Sequence, residues 1–484
     1  MRIGIKKFGA IKDASMDINR LTILCGTNNS GKSYFTRTVY GVMDVLRTGD
    51  FRFPIPDEKF REFFVHGKVS FPDLRSLVEE YSGAVNDFLK QSDYFNDKGM
   101  AGFCLLPCVL DSEVSVSFDQ ERFYRELYEE AIDIKLPVTD EQLQLVEKIE
   151  KWKADEWRLT IRVRKSACSG ELELSLWPSP GKTLSDYQQK NESLASDWYK
   201  ALPQTLATVF NDRLCPLVVL LSSLRASCSL FGLEHSYLTE RLERLSVDDM
   251  TETEAKTIAR TVCMSVPYGI SGILKMYREP QTYFNDENVS EIYKKSEILR
   301  RTLSDLVGGE YLVVDNRIVF LPSGSKYPLP IAECSSSVQS LMDVFLFVKY
   351  QLRENIAEHV NPMLMIDEPE QNLHPAKQRM FARLVAILVN AGVPVFVTTH
   401  SDYFIREINA LTLMKGLPQE KLDIVRREFM YEDEMFLDAD NVSISVAEAG
   451  SIRQMTYVPR CGFPVKSFDD TVEQYNALFS VIID

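Results

Sequence analysis

Residues 21–33, Leu-Thr-Ile-Leu-Cys-Gly-Thr-Asn-Asn-Ser-Gly-Lys-Ser, set two glycines, a lysine and a serine at a spacing suited to a polyphosphate. The apolar run 21–25 reads as a buried strand that breaks at Gly26. Gly31 then leads into Lys32, Ser33 and a helix-compatible run from 34 to 46. The pattern is G-x-x-x-x-G-K-S, the phosphate-binding P-loop. In such a loop backbone N–H groups and the positive helix end surround phosphate oxygens. Lys32 would reach the β- and γ-phosphates, and Ser33 would give its hydroxyl to Mg²⁺. The residues expected around ATP are Gly26, Asn28, Asn29, Ser30, Gly31, Lys32, Ser33 and Tyr34.

A second set of chemistry-bearing residues lies far along the chain. Residues 363–368, Met-Leu-Met-Ile-Asp-Glu, form an apolar strand ending in two carboxylates. With a P-loop in the same chain, Asp367 is the expected Mg²⁺ ligand and Glu368 the base that activates or orients water. Another apolar strand, 394–398, ends at Thr399, His400 and Ser401, where an imidazole can contact a γ-phosphate or the attacking water. Upstream, Cys334-Ser-Ser-Ser-Val-Gln-Ser-Leu opens a strongly apolar helix-like run. Ser336 and Gln339 have the spacing of a capping box. The same helix start, with Ser335, Ser336, Ser337 and Gln339, can also face a phosphate.

The elements around these motifs read as follows. Residues 2–8, 14–18 and 21–25 look like strands arranged as a meander into the P-loop. Helical periodicity appears over 71–88, 121–132 and 141–153. Between 158 and 164, Arg158, Arg162 and Arg164 alternate with Leu159, Ile161 and Val163, giving a strand with one basic face. That face suits DNA phosphates. After a turn, Glu171 and Glu173 alternate with Leu172, Leu174 and Leu176. Pairing Arg164 with Glu171 sets Arg162 opposite Glu173, so cross-strand ion pairs account for the arginines more economically. Residues 185–308 are mostly helix-compatible, with a buried-strand candidate at 217–224. Residues 311–314 and 317–321 form a hairpin around Asp315-Asn316. After His400 the expectation is a helix, then strands near 429–431, 442–447 and 452–457, with Asp438 and Asp440 in a turn.

Composition narrows the classes. A chain of 484 residues is long enough for two or three domains. Its net charge of −15 argues against a surface that binds nucleic acid everywhere. Nine scattered cysteines without a paired framework fit a reducing, cytoplasmic setting. Cys104 and Cys108 are the one close pair and read as buried thiols rather than metal ligands. No apolar run is long enough to span a membrane, and no signal peptide is read at the start.

In order and spacing, the P-loop, Ser-rich helix start, Asp-Glu strand and Thr-His strand together resemble the ABC-type ATPases. In that family a signature motif from one protomer completes the ATP site of another. Asp367-Glu-Pro-Glu-Gln-Asn-Leu-His-Pro375 is similar to the Walker B and D-loop of the OLD, RecF and SMC-like branch. Residues 335–339 resemble its degenerate signature and 398–401 its switch histidine, with Glu368 and His400 as the catalytic pair. The resemblance implies an α/β fold: an ABC-type P-loop NTPase head, a mixed sheet flanked by helices, with a mostly helical insertion. It divides the chain into a split head (1–45 and 310–484), an α+β lobe (46–184) and a helical insertion (185–309). Two positions depart from the branch. Ser222 stands where a Leu-Pro-Ala-x-Arg segment has proline. Ser337 stands where the signature has glycine, and a side chain there would crowd the phosphate of the other protomer, so hydrolysis is expected to be slow.

The segment after His400 is too short for the metal-dependent nuclease module that many OLD-like proteins carry. A chain with the ATPase alone most resembles the stand-alone ATPase subunits of bacterial anti-phage systems such as PARIS and Septu. The resemblance therefore implies a sensor or switch that forms a homodimer or higher homo-oligomer through its ATP sites and controls a separate effector such as a nuclease. Two other readings stand beside it. One is a RecF/SMC-like DNA-repair ATPase that binds DNA directly. The other is a scaffold locked by ATP into an oligomer, with little turnover.

Overall fold

The structure, a computed structural model, describes residues 1–48, 51–66, 68–71, 73–91, 113–118, 132–135, 158–165, 170–177, 203–204, 206–207, 210–211, 215, 217–221, 276–277, 279–352, 362–464 and 480. Of the helical expectation at 121–132 only Ile132 is described, and it opens a strand rather than ending a helix. The expectation at 141–153, the Cys104/Cys108 pair and Ser222 lie outside the described residues. Strands β1 (Arg2–Phe8), β2 (Ile11–Asp17) and β3 (Leu21–Gly26) lead into helix α1 (Lys32–Thr48). Helix α2 (Asp57–His66), strand β4 (Lys68–Phe71), helix α3 (Leu74–Gln91) and strands β5 (Glu113–Ser117), β6 (Ile132–Lys135), β7 (Arg158–Lys165), β8 (Gly170–Trp177) and β9 (Val218–Leu221) follow. Helix α4 (Glu297–Val307) precedes β10 (Gly309–Val314), β11 (Arg317–Pro322) and β12 (Leu329–Pro330). The rest comprises α5 (Ser336–Leu346), β13 (Met363–Asp367), α6 (Pro375–Asn390), β14 (Val395–Thr399), α7 (Asp402–Met414), α8 (Gln419–Phe429), β15 (Val442–Glu448) and β16 (Ser451–Gln454).

The large sheet has the order β5-β1-β2-β16-β15-β3-β14-β13-β9. Its centre is parallel: β3 lies between β15 and β14, β13 pairs with β14, and β9 pairs with β13. Strands covered on both faces must be apolar throughout rather than alternating. Every residue of β3 and β14 is accordingly buried, as are the first four of β13. Helices α5, α6 and α7 contribute Leu341, Phe345, Phe381, Leu384, Phe404 and Ile408, among others, to the core that includes Ile23, Leu364 and Val397. This mixed sheet flanked by helices is the fold expected.

Register positions the chemistry. Cys25, the last residue before Gly26, is level with Thr399, and Thr398 is level with Asp367. All three strands run the same way, so the P-loop, the Asp-Glu pair and the Thr-His segment leave the sheet at one carboxyl edge. Ligands of parallel α/β sheets collect at that edge.

Four local expectations are corrected. β2 and β3 do not form a meander, because β15 and β16 stand between them. That choice gives β3 parallel neighbours on both sides, the buried setting its unbroken apolar sequence suits. Residues 429–431 are not a strand: α8 ends at Phe429 and Met430 turns left-handed at φ 58°. Two helices, α7 and α8, follow His400 rather than one. The 217–224 candidate is β9, at the edge of the sheet, and only its Leu221 is buried.

The described residues gather into two compact units, one formed by 1–4, 41–99 and 114–217, the other by 5–40, 100–113 and 218–484. In the first, β4-β8-β7-β6 make a small sheet whose β7–β8 register sets Arg162 opposite Glu173 and Arg164 opposite Glu171, as read from sequence. The buried Glu173 carboxylate meets Lys68 of the neighbouring β4 at 2.8 Å. In the second unit, Asp315 and Asn316 both have positive φ, 51° and 57°, the type I′ geometry that suits the β10–β11 hairpin. Asp438 Oδ1 accepts the N–H of Asp440 at 3.1 Å, the expected turn. Among the described residues no helix is long and apolar enough to cross a membrane.

Candidate functional site

The P-loop is packed so closely that its glycines cannot carry side chains. Gly26 has φ +143°, and a Cβ there would lie 2.3 Å from the carbonyl oxygen of Ala447 on β15. Gly31 has φ +100°, and its Cβ would stand 2.8 Å from Ile11. Both are conformations that L side chains avoid. Between them Thr27, Asn28 and Asn29 are exposed, Asn29 at φ 59°, while the Ser30 hydroxyl is buried without a hydrogen-bond partner. Phe35 N–H donates to Gly31 O at 3.0 Å, closing the first turn of α1. Lys32 is buried beneath the loop, its ammonium donating to Thr27 O at 2.8 Å and Gly26 O at 3.1 Å. Burial lowers its pKa, and the carboxylates of Glu368 and Asp367 work against that shift. Ser33 is exposed on the first helical turn, and Tyr34 sets its ring edge-on to Phe8 at 5.3 Å.

The carboxylates stand where register puts them. Asp367 ends β13 and its Oδ1 accepts the Thr398 hydroxyl. Glu368 follows in a left-handed conformation, φ 51°, with its N–H donating to Thr398 O at 3.0 Å and to Thr398 Oγ1 at 3.2 Å. Its carboxylate lies 3.4 Å from His400 Nε2 and accepts from Gln371 Nε2 at 3.3 Å. Burial, then the charge of Lys32, pulls the His400 pKa below 6.5, against the opposing pull of Glu368 and Asp367. That shift favours the neutral imidazole.

Several residues of this edge escaped the sequence reading. Glu370 accepts from Thr399 Oγ1 at 2.9 Å and from His400 N–H, and burial raises its pKa. Ser401 Oγ donates to Gln378 Oε1. Asn372, at φ 62°, donates to Ser340 Oγ at 3.2 Å, and that hydroxyl donates to Ser336 O. Glu370 and Asn372 lay inside a motif already quoted. What was missing was their partners, which only tertiary pairing supplies.

The Ser-rich helix start differs in detail from the expected capping box. The N-cap of α5 is Ser335, not Ser336, accepting from Val338 N at 3.5 Å. Its hydroxyl also lies 2.9 Å from that of Ser337. Gln339 does not reach back to the cap. It is buried, and its Nε2 donates to Ile331 O and Cys334 O, both at 3.1 Å. A 3₁₀ turn at Ile331–Glu333, with Cys334 as its C-cap, offers these carbonyls, and a buried amide takes the nearest acceptors. Ser335 and Ser336 are exposed and Ser337 is half-buried.

Residues 272–405 match the sequence model of the AAA ATPase domain, a stretch that takes in α5, Asp367, Glu368 and His400. That stretch is similar to an AAA ATPase domain, and the P-loop at residues 26–33 lies outside it. No curated protein sequence matches it. Among solved structures it is similar to the Smc head domain of Pyrococcus furiosus, with an extended coiled coil and bound to the C-terminal domain of ScpA. That pair shares 13% identity, with 98% of each chain covered and a TM-score of 0.32. It is similar also to the SmcHead bound to the C-winged helix domain of ScpA (13% identity, 94% of this chain and 96% of that one, TM-score 0.34). A third is the SMC head domain from Thermotoga maritima (12% identity, 95% and 97%, TM-score 0.28).

Proposed function

We propose that this chain binds ATP with Mg²⁺ at the P-loop edge, hydrolyses it slowly, and acts as a switch subunit that controls a separate effector, such as a nuclease, in anti-phage defence. The ATPase part rests on one observation: the β3–β14–β13 register that brings Lys32, His400, Asp367 and Glu368 to the same carboxyl edge. The defence role rests on sequence resemblance alone.

The residues present fit the ligands. Ser30's buried, unpartnered hydroxyl lies in a loop whose exposed turn suits an anion. Asp367 and Ser33 offer hard oxygen donors of the kind Mg²⁺ accepts. MgATP supplies the phosphoanhydride that water cleaves and the cation that offsets its charge. Lys32 would exchange its two loop carbonyls for phosphate oxygens without a new desolvation cost, being buried already. Glu368 would take the proton of water while neutral His400, 3.4 Å away, orients it without competing as an acid. Ser335 and Ser336, exposed at the start of α5, would meet the nucleotide of a second protomer. Ser337 in place of a small glycine slows that closure.

Phosphate release by the purified protein tests the ATPase, and loss of ATP binding in Lys32→Ala is the expected control. The switch role is tested by phage challenge of cells that carry the chain with the proteins encoded beside it. Protection that survives Lys32→Ala unchanged would remove that role.

A further inference from the structure

The last residues of β14 hold the segment that carries the carboxylates through a series of side-chain hydroxyls. Thr398 Oγ1 serves Asp367 and Glu368, and Thr399 Oγ1 serves Glu370. Thr398 stands apart because one buried hydroxyl makes two bonds of opposite sense. Its proton goes to Asp367 Oδ1, and its oxygen accepts the N–H of Glu368 at 3.2 Å. A hydroxyl has one proton and two lone pairs, so both bonds can exist at once. The side-by-side register of Asp367 and Thr398 makes the arrangement a direct neighbour contact. The second bond falls on a residue that needs holding, since Glu368 is a non-glycine residue at φ 51°. A buried strand position asks only for a β-branched side chain, and valine would meet that need equally well.

We propose that the Thr398 hydroxyl is a positioning group of the nucleotide site, orienting the Asp367 carboxylate for Mg²⁺ and keeping Glu368 in its left-handed conformation at the sheet edge. This rests on the ATPase reading above. Groups that orient a metal-binding carboxylate are worth roughly 10- to 100-fold in metal affinity or activity. Thr398→Val keeps the shape and removes both bonds.

Two measurements test this: steady-state phosphate release, and equilibrium binding of a fluorescent ATP analogue in EDTA and in Mg²⁺. In Thr398→Val, binding in EDTA should match wild type, while the tightening on adding Mg²⁺ is lost and kcat falls about 10- to 100-fold. Thr398→Ser, which keeps the hydroxyl, should restore both. Should the valine variant not fold, Thr398→Ser against Thr398→Ala isolates the hydroxyl on a common background. Wild-type kcat and Mg²⁺ response in Thr398→Val, or equal losses in the serine and alanine variants, overturn the proposal. Hydrolysis indifferent to Lys32→Ala instead overturns the ATPase reading itself, and this one with it.

Discussion

Glu368 and His400 meet at 3.4 Å, a carboxylate beside an imidazole whose pKa is held below 6.5. Desolvation and Lys32 together favour the neutral ring more than the two carboxylates favour the charged one. Protonation would turn the contact into an ion pair and make Glu368 a poorer base. The rate should therefore be level around neutrality and fall on acidification, with an apparent pKa below 6.5 that disappears in His400→Gln. Stability carries the same sign. The unfolded chain binds the proton more readily than the folded one, so the contribution is complete above 6.5 and is lost as pH falls through the depressed folded value. Unfolding midpoints against pH for wild type and His400→Gln check this. An acid limb that persists unchanged in the variant would assign it to another group.

Lys32→Ala removes a buried ammonium that now bonds two loop carbonyls. With ATP bound those donors face phosphate, and losing charge-assisted bonds of this kind weakens affinity by at least roughly 10- to 100-fold. Titration with a fluorescent ATP analogue reads it. Wild-type affinity would show that the loop is not the phosphate site.

The parts that were legible in the sequence are those whose signal is local. An unbroken apolar run into a glycine, then Lys-Ser, specifies strand, loop and helix without help from the rest of the fold. The Arg162–Glu173 and Arg164–Glu171 pairings were legible because a short turn leaves one natural register. What stayed hidden depends on neighbours far along the chain. Nothing near β2 or β3 announces that β15 and β16 will stand between them, although β15 is 442–448. Lys68 as the partner of Glu173, and Thr399 as the partner of Glu370, likewise come from strands the local pattern cannot order. The N-cap at Ser335 rather than Ser336 is a one-residue error typical of consecutive serines, each a competent cap.

Glu407 is a buried carboxylate on α7 that gathers Arg379 and Arg383 of α6, at 2.7 and 2.6 Å, and the hydroxyl of Tyr431 at 2.8 Å. Arg383 also lies 4.1 Å above the Tyr431 ring. Glu407→Ala would strand these donors between two helices of the core. Removing one member of a fully buried pair costs about 3–5 kcal/mol, and because Arg379 is half exposed and can turn to water, about 2–3 kcal/mol is expected. Denaturant midpoints of the two proteins measure it. The nucleotide edge should be unaffected, so ATP-analogue affinity serves as the internal control, and an unchanged midpoint would show the cluster to be ornamental to stability.

Glu368→Gln separates binding from hydrolysis. Glutamine keeps the size and a hydrogen-bonding oxygen, but it neither accepts the proton nor carries the charge facing His400. ATP should bind about as in wild type while hydrolysis falls by roughly two to four orders of magnitude, the usual worth of a general base. The exposed serines at the start of α5 would then hold unhydrolysed ATP of a neighbouring protomer. ATP would stabilise the assembly by mass action, since it binds the associated form with more contacts. Light scattering should show the variant gathering into a dimer or larger species with MgATP and dispersing when it is removed. Ser336→Trp in the same background should abolish that association while changing ATP affinity only modestly, because Ser336 would touch the partner's nucleotide rather than its own. Wild-type hydrolysis in Glu368→Gln would show that another group is the base. Trapped ATP with an assembly state indifferent to nucleotide would leave a P-loop ATPase that works within one protomer.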